Sequence, residues 1–513
     1  MADRVKLDLR TPGVSKLRTG ISGFDDICQG GLPAGRTTLI AGTAGAGKTV
    51  FAAHFLAAGI EKAGEGGVFV TFEESPQQIR DNLTSFGWDI SEWERQGKWK
   101  FVDASPHGNP RTAVVGGFDF GALLARIERA ITQVGAVRVS LDSIGVIFAQ
   151  FEDESAVRTE LFRVARALRD LNVTAVLTVE RKSEFGEIAR FGVEEFVADN
   201  VVLLRNALDS ESRRRTIEVL KFRGTRHHKG EYPFTVLGDQ GIVVIPMASV
   251  LSSQTSSDLR VTAGNEKLNE MVHGGVFRDS ILLITGPTGT GKTLFSTGFI
   301  DGGIQTGERT MLFAFEEGRE QFFRNARSWG FDLESAEAAE LLRIKATYPE
   351  AMGIEDHLVS IRDQIDHFKP QRVVVDSVSA LERVTSTKGF REFIIGLTAI
   401  LKVRSICGVY TASSSNLLGG SSATEAHISA ISDMIVLLRY VEFYGHMRRA
   451  IAVLKMRGSD HDREIREFLI DDAGMHIGDT FKNVNGILSG QLDVREMDEM
   501  ERIRHLFTTP GEN

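Results

Sequence analysis

The chain has 513 residues, of which 42% are hydrophobic and 25% charged, and this balance excludes a disordered chain, a coiled-coil rod and a collagen-like fibre. Its net charge of -9 excludes a bulk nucleic-acid binder that is held by its overall field. The two cysteines, Cys28 and Cys407, form no metal or disulfide pattern, which suits a reducing compartment. The N-terminus is too charged for a secretory signal, and no uninterrupted apolar run reaches about 18 residues. We therefore expect a cytoplasmic protein with no membrane partner.

The first element with recognisable chemistry is a glycine-rich loop at residues 42–49, which reads GTAGAGKT. It follows an apolar run at 37–42 and precedes a helical pattern, so we place it between a buried strand and a helix. In such a loop, backbone N–H groups surround a triphosphate, the lysine reaches the β- and γ-phosphates, and the threonine hydroxyl binds Mg²⁺. We expect ATP and Mg²⁺ as cofactors, and the ATP-binding residues are Gly42, Thr43, Ala44, Gly45, Ala46, Gly47, Lys48 and Thr49.

Acidic residues follow two of the next apolar runs. Glu73 and Glu74 come after the run at 68–72, where one carboxylate can take a proton from an attacking water while its neighbour orients it. Asp142 ends the run at 136–142, where a carboxylate should hold Mg²⁺ together with Thr49. The alternatives are a pair of solvated acids for the glutamates and a loop-capping residue for the aspartate.

The remaining runs of this half indicate its fold class. Apolar runs at 173–180 and 200–206 alternate with helical patterns such as residues 154–171. Because these runs are apolar throughout and do not alternate with polar residues, they predict a mostly parallel sheet covered by helices on both faces. The predicted fold is α/β.

The last motif of the first half is a pair of cationic residues. Lys221 and Arg223 lie two residues apart in KFRG at 221–224, on one side of a late strand. A basic strand face is usually only solvated. Beside a nucleotide site, however, such a pair can reach the γ-phosphate that a neighbouring subunit binds, and we favour this role.

The second half repeats these landmarks in the same order. A serine-rich polar stretch at 247–258 has the composition of a linker, and the glycine loop returns after it as GPTGTGKT at 286–293. The counterparts of the first set are the loop residues Gly286, Pro287, Thr288, Gly289, Thr290, Gly291, Lys292 and Thr293, the catalytic candidates Glu316 and Glu317, the Mg²⁺ ligands Thr293 and Asp376, and the cations Lys455 and Arg457.

This order means that a domain of about 240 residues has been duplicated. We predict an N-terminal domain at 1–246, a linker at 247–260, a C-terminal domain at 261–490 and a tail at 491–513. Apolar residues near helical spacing from Val494 to Leu506 predict a short amphipathic helix in the tail.

Taken together, these landmarks resemble the KaiC family of RecA-like ATPases and autokinases of the circadian clock. The resemblance is most specific around the loops, in residues 186–206, 213–234, 426–442 and 447–468. It implies two tandem RecA-like P-loop domains in a double-ring homohexamer, with ATP clamped between subunits. It also implies ATP hydrolysis by Glu73 and Glu74 in the N-terminal ring. In the C-terminal ring it implies autokinase and phosphatase chemistry on a serine or threonine, served by Glu316 and Glu317.

One departure from the family concerns the phosphorylated segment, which in the family carries adjacent serine and threonine after His-Ile. Here the segment reads His427-Ile428-Ser429-Ala430, so the second acceptor is absent. The resemblance implies Ser429 as the main phosphorylated residue and Thr424 as a minor one.

A second departure concerns partners. The tail diverges after Gly490 from the segment that the family offers to KaiA, so a KaiA-type partner is doubtful. A KaiB-type clock partner is a candidate, and no nucleic-acid partner is expected.

Two other classes of function compete with this interpretation. RecA-like hexamers include DNA-dependent motors, but the basic runs at 213–215 and 221–229 are not interleaved with stacking aromatics. For the first of these runs we favour an exposed turn between strands. The other class is a scaffold whose ATP sites only hold a ring together, and the intact glutamates in both halves argue against it.

Overall fold

The protein divides into two compact units, Met1–Ser249 and Val250–Asn513. The computed structural model describes residues 14–105, 120–148, 154–186, 197–209, 212–246, 256–414, 428–443, 446–481, 484–485, 487 and 493–494. Each unit is an α/β domain built around one large sheet.

The sheet of the first unit has nine strands. A small pair, β1 (Lys16–Leu17) and β2 (Leu32–Pro33), precedes it, and its own strands are β3 (Thr37–Gly42), β4 (Gly66–Thr71), β5 (Trp99–Asp103), β6 (Ala136–Asp142), β7 (Thr174–Glu180), β8 (Asn200–Asp209), β9 (Ser212–Phe222), β10 (Glu231–Leu237) and β11 (Gly241–Val244). Their order across the sheet is β11-β10-β9-β8-β3-β7-β6-β4-β5. The strands from β8 to β5 in this order are parallel, and β9 to β11 are added antiparallel.

Helices cover both faces of this sheet. They are α1 (Phe24–Ile27), α2 (Lys48–Ala63), α3 (Pro76–Leu83), α4 (Ile90–Arg95), α5 (Phe120–Val134), α6 (Gly145–Phe148) and α7 (Glu154–Asp170), with a 3-10 turn at Thr84–Phe86. One apolar core contains Phe51 and Phe55 of α2, and a second contains Leu161 and Leu168 of α7. The helix predicted at 154–171 is therefore confirmed, and its apolar stripe faces the sheet.

The second unit repeats the same plan. Its strands are β12 (Arg260–Val261), β13 (Val276–Phe277), β14 (Ile281–Gly286), β15 (Thr310–Ala314), β16 (Leu342–Ala346), β17 (Arg372–Asp376), β18 (Cys407–Ser413), β19 (Met434–Phe443), β20 (His446–Met456), β21 (Arg466–Asp471), β22 (Gly474–Thr480), β23 (Val484–Asn485) and β24 (Asp493–Val494). Its nine-stranded sheet has the order β16-β15-β17-β18-β14-β19-β20-β21-β22, which is the order of the first sheet strand for strand.

The helices of the second unit likewise cover both sheet faces. They are α8 (Glu266–Met271), α9 (Lys292–Gln305), α10 (Arg319–Ser328), α11 (Leu333–Ala338), α12 (Ile354–Phe368), α13 (Val378–Glu382) and α14 (Thr387–Val403), with a 3-10 turn at Pro349–Ala351. The mostly parallel, two-faced sheet that the apolar runs predict is present in both units.

Two local predictions are wrong. The arginine run at 213–215 is not an exposed turn but part of β9, where Arg214 is buried. The predicted tail helix does not begin at Val494, because Asp493–Val494 is a strand that pairs with Val484–Asn485. The rest of the predicted helix lies outside the described residues. In both places a neighbouring strand supplies backbone partners that override the local pattern.

Candidate nucleotide-binding sites

The first glycine loop leaves the carboxyl end of β3 and enters α2 at Lys48. Gly45 and Gly47 have φ angles of 73° and 94°, a backbone region where a side chain would be strained. The Lys48 ammonium donates to the Thr43 carbonyl at 2.9 Å, and this hydrogen bond holds the ammonium against the backbone of the loop. Burial lowers the pKa of Lys48, and the nearby carboxylates, Glu180 foremost, oppose this shift.

The second loop has the same geometry between β14 and α9. Gly289 and Gly291 have φ angles of 82° and 104°. The Lys292 ammonium donates to the carbonyls of Gly286 and Pro287 at 2.8 and 3.0 Å. Both predicted phosphate loops therefore place their lysine over backbone carbonyls of the loop itself.

The predicted Mg²⁺ ligands lie together in each unit. Asp142 ends β6 and accepts hydrogen bonds from the hydroxyls of Thr49 and Thr178. Burial raises the pKa of Asp142, and these two hydrogen bonds lower it. In the second unit Asp376 accepts from Thr293 and Thr411 in the same way. A hydroxyl and a carboxylate that touch each other beside a phosphate loop are a donor set that fits Mg²⁺, which prefers oxygen ligands.

The one hydroxyl and one carboxylate of each site are too few to hold Mg²⁺ without phosphate oxygens as further ligands. Among the described residues no group of three or more histidine, cysteine, aspartate or glutamate side chains could hold a metal ion. Mg²⁺ therefore fits as the partner of a bound nucleotide, since it usually keeps waters and phosphate oxygens as ligands.

The glutamate pairs sit beyond β4 and β15, at the edge of the sheet where the loops lie. Glu74 accepts a hydrogen bond from the Asn82 amide at 2.8 Å, and Glu317 accepts one from Asn325 at 3.0 Å. Glu316 also accepts from the Ser377 hydroxyl at 3.0 Å. The second member of each pair is thus held by an amide.

Burial makes one carboxylate of each pair more basic. Burial, followed by the charges of Asp142 and Glu180, raises the pKa of Glu73. In the second unit, burial and then the charge of Asp376 raise the pKa of Glu317. A carboxylate with a raised pKa is a better general base near neutral pH.

In the first unit the structure gathers the predicted residues around one cavity. Parallel strands end at a common edge, so their last residues converge although they are far apart in sequence. The cavity is lined by Lys48, Thr49, Thr71, Glu73, Glu74, Asp142, Ser143 and Glu180. In the second unit Lys292 and Glu316 both interact electrostatically with Asp376.

The predicted cations do not join the site of their own unit. Lys221 donates to the Ala198 carbonyl at 2.9 Å, and the Arg223 N–H donates to the Asp199 carbonyl at 3.3 Å. The Asp199 carboxylate in turn accepts from the N–H of Thr37, the first residue of β3. This is the amino end of β3, whereas the loop leaves its carboxyl end.

In the second unit the cations hold the predicted acceptor segment. Lys455 donates to the carbonyls of Ser429 and Ser432 at 2.7 and 2.8 Å. Arg457 donates to the Ala430 carbonyl at 2.6 Å. The Ser432 hydroxyl is buried and donates to the Ile428 carbonyl at 2.8 Å. Residues 428–431 form a helical turn, and Thr424 lies outside the described residues.

Sequence reasoning missed several polar residues of these sites. Thr178 and Thr411 occupy matching places in VLTVE and VYTAS, and Asn82 and Asn325 each lie eight residues after a site glutamate. An alignment of the two halves with each other would have found them. Glu180 has no acidic counterpart, so that alignment would not have singled it out.

Two such sites on two sheets of the same strand order define a P-loop ATPase with tandem RecA-like domains. A family model described as "ATPase: KaiC" matches residues 17–249 and again residues 261–481. The chain belongs to the KaiC family, and its two halves are KaiC-type ATPase domains.

Individual relatives cover almost the whole chain. It is 57% identical to the circadian clock protein KaiC3 of Synechocystis sp. over 501 residues. This alignment covers 98% of this chain and 99% of the relative. It is 52% identical to the circadian clock oscillator protein KaiC of Thermostichus vulcanus, over 96% of this chain and 95% of the relative. Against KaiC of Synechococcus elongatus the identity is 51%, with the same coverage of 96% and 95%.

No helix among the described residues is long and apolar enough to cross a membrane.

Proposed function

We propose that this KaiC-type ATPase also phosphorylates itself, and that it works as a Mg²⁺-dependent homohexamer in circadian or other timing or stress signalling. The domain at 1–246 hydrolyses ATP, and the domain at 261–490 transfers phosphate to Ser429. The printed names of the relatives, which are circadian clock proteins, support the timing role. A KaiB-type partner fits this role, whereas the divergent tail makes a KaiA-type partner doubtful.

The observation that carries the autokinase proposal is the position of Ser429 relative to the glycine loop of its own unit. Ser429 precedes Asp433, whose N–H donates to the carbonyl of Ile281 at 2.8 Å. Ile281 begins β14, and the loop leaves the other end of that strand at Gly286. Six residues of strand separate the two ends by about 17 Å. Ser429 is therefore suited to ATP that is bound by a second copy of the chain.

The cations support transfer between copies. Lys455 and Arg457 lie at the same end of the sheet as Ser429 and hold its segment by backbone carbonyls. In a ring, this end of one copy would meet the glycine loop of the next. The two cations would then stabilise the charge of the γ-phosphate while they present the serine.

The transfer step follows from these roles. The Ser429 oxygen forms a bond to the γ-phosphorus as the bond from that phosphorus to the β,γ-bridging oxygen breaks, and ADP leaves. The serine proton passes to a carboxylate of the Glu316–Glu317 pair, whose basicity is raised by burial at Glu317. Mg²⁺ held by Thr293 and Asp376 would neutralise charge on the phosphates.

Intact-mass spectrometry after incubation with Mg-ATP tests the proposal. We expect mostly one added phosphate per chain, because Ala430 has no hydroxyl that could accept a second. Ser429→Ala should lose most of this mass shift, and Thr424→Ala, the matched control in the same segment, should keep it. A Ser429→Ala protein that still labels fully would remove Ser429 from the mechanism.

A further inference from the structure

The two ATP sites differ at one register position beside the glycine loop. Glu180 ends β7 and pairs with Gly42, the first residue of the first loop. Ser413 ends β18 and pairs with Gly286, the first residue of the second loop. In both units the N–H of the following residue donates to that glycine carbonyl, at 3.0 and 3.2 Å respectively. The backbone is thus the same, and the side chain changes from a carboxylate to a hydroxyl.

The Glu180 side chain reaches the catalytic cavity. It is exposed to solvent and lines the same cavity as Glu73, Lys48 and Asp142. Of the carboxylates whose charge raises the pKa of Lys48, Glu180 raises it most. The first unit therefore carries one more acidic group around its phosphate loop than the second unit has at the matching place.

The serine after each aspartate also behaves differently. Ser377 donates its hydroxyl to Glu316 in the second unit, but the buried Ser143 hydroxyl has no hydrogen-bond partner among the described residues of the first. Glu73 therefore lacks the neighbour that holds Glu316. Instead, it faces the negative charges of Asp142 and Glu180.

We propose that Glu180 accepts a hydrogen bond from the attacking water and so commits the N-terminal site to hydrolysis, whereas Ser413 leaves the C-terminal site without this acceptor. The inference rests on the proposed division of labour between the two sites. In the step, the water oxygen bonds to the γ-phosphorus as the bond to the β,γ-bridging oxygen breaks. ADP and inorganic phosphate leave, and the water proton passes to the carboxylate of Glu73. Glu180 fixes the direction of the water and takes no proton.

The experiment uses the full chain with Glu316→Gln and Glu317→Gln as background, so that ATP turnover reports the N-terminal site. In this background, Glu180→Gln keeps the size of the side chain and removes its charge. We expect kcat for ADP release to fall about tenfold or more, with KM for ATP changed by less than about threefold. Glu180→Asp should restore part of kcat. Glu61→Gln, the same change on the exposed surface of α2, should leave both constants unchanged.

The outcomes separate this inference from the proposal on which it rests. A background protein that releases no ADP would contradict the division of labour, before Glu180 is tested. A background protein that turns over normally, with a Glu180→Gln variant of unchanged kcat, would overturn the inference alone. A rise in KM in proportion to the loss of kcat/KM would also overturn it, because Glu180 would then act on nucleotide binding.

Discussion

The strand-end aspartates Asp142 and Asp376 show how single residues set the electrostatics of each predicted site. Each is a carboxylate at the end of a strand whose charge is opposed by burial and supported by two threonine hydroxyls. Such a group fits the predicted role of Mg²⁺ ligand, because the hydroxyls compensate part of its desolvation. Proton transfer is the role that we predict for the glutamates beside them.

At this scale we predict that one glutamate pair serves ATP hydrolysis and the other serves autophosphorylation. Replacing Glu73 and Glu74 by glutamine should lower steady-state ATP hydrolysis about 10²–10⁴-fold while ATP still binds, because an amide cannot accept the proton of water. Replacing Glu316 and Glu317 by glutamine should stop phosphate incorporation and spare much of the hydrolysis. ADP release and intact mass, measured on the same samples, check both statements. Equal loss of both activities in both variants would contradict the division.

At the scale of elements, a buried arginine of the sheet is hydrogen-bonded to each of the loop helices α2 and α9. The Arg138 guanidinium of β6 donates to the Phe55 carbonyl of α2 at 2.9 Å, and the Arg372 guanidinium of β17 donates to the Phe299 carbonyl of α9 at 3.2 Å. Each arginine also pairs with an acid in the turn after its helix, Arg138 with Glu65 at 2.6 Å and Arg372 with Glu308 at 2.5 Å. A Cβ atom at Gly59 of α2 would lie 2.4 Å from the Arg138 side chain. This helix glycine therefore gives the arginine room, and the hydrogen bond from Arg138 to Phe55 positions the helix that begins at the phosphate loop.

The contact between α2 and β11 predicts acid sensitivity of the first unit. His54 of α2 is buried and accepts the N–H of Ile242 at 3.2 Å, and burial lowers its pKa to about 4. Below its histidine pKa of about 6.5, the unfolded chain binds more protons than the folded chain does. The contribution of neutral His54 to the free energy of unfolding is therefore fully present above pH 6.5 and is lost as the pH falls towards 4. From pH 7 to pH 5 the histidine should remove about 2 kcal/mol.

The check is urea unfolding at pH 7 and pH 5, followed by tryptophan fluorescence in a Trp329→Phe background. The remaining tryptophans, Trp88, Trp93 and Trp99, all report on the first unit. His54→Gln keeps an acceptor for Ile242 but cannot titrate, so its stability should change less between the two pH values. Identical changes in the two proteins would show that His54 does not carry the effect.

At the scale of the whole molecule, the predicted phosphate-binding cations lie away from the glycine loop of their own unit. Lys221 and Lys455 lie at the edge of the sheet where the parallel strands begin, and the glycine loops leave the opposite edge, where those strands end. Within one chain Lys221, Lys455 and Arg457 donate to backbone carbonyls of their own unit, and Arg457 also pairs with the Asp433 carboxylate. A second copy would give them a phosphate to bind.

We therefore predict that Mg-ATP drives assembly into hexamers. A ligand bridging two copies favours the assembled state by mass action, so the molar mass should rise with nucleotide concentration. Light scattering after size-exclusion chromatography, with and without Mg-ATP, measures this. The combined Arg223→Ala and Arg457→Ala variant should need more nucleotide for assembly. A chain that stays monomeric at saturating Mg-ATP would refute the prediction.

The sequence by itself determined what depends on short stretches of chain. The strands at 37–42, 136–142 and 281–286 lie where the apolar runs place them, since a run buried on both faces has few other conformations. The glycine loops are equally local, because their backbone requires glycine at positive φ. The duplication followed from repeated motifs alone, and the matching order of the two sheets agrees with it.

Only the tertiary structure decided which distant residues share a site. Thr178 and Glu180 reach the first loop because β7 lies beside β3 in the sheet, a pairing that no local pattern encodes. The same holds for Lys455, whose partners at Ser429 and Ser432 are set by the pairing of β19 with β20. Burial and charge depend on these neighbours, so the basicity of Glu73 also depends on them. Strand order brings such side chains together, and strand order arises from packing across the whole domain.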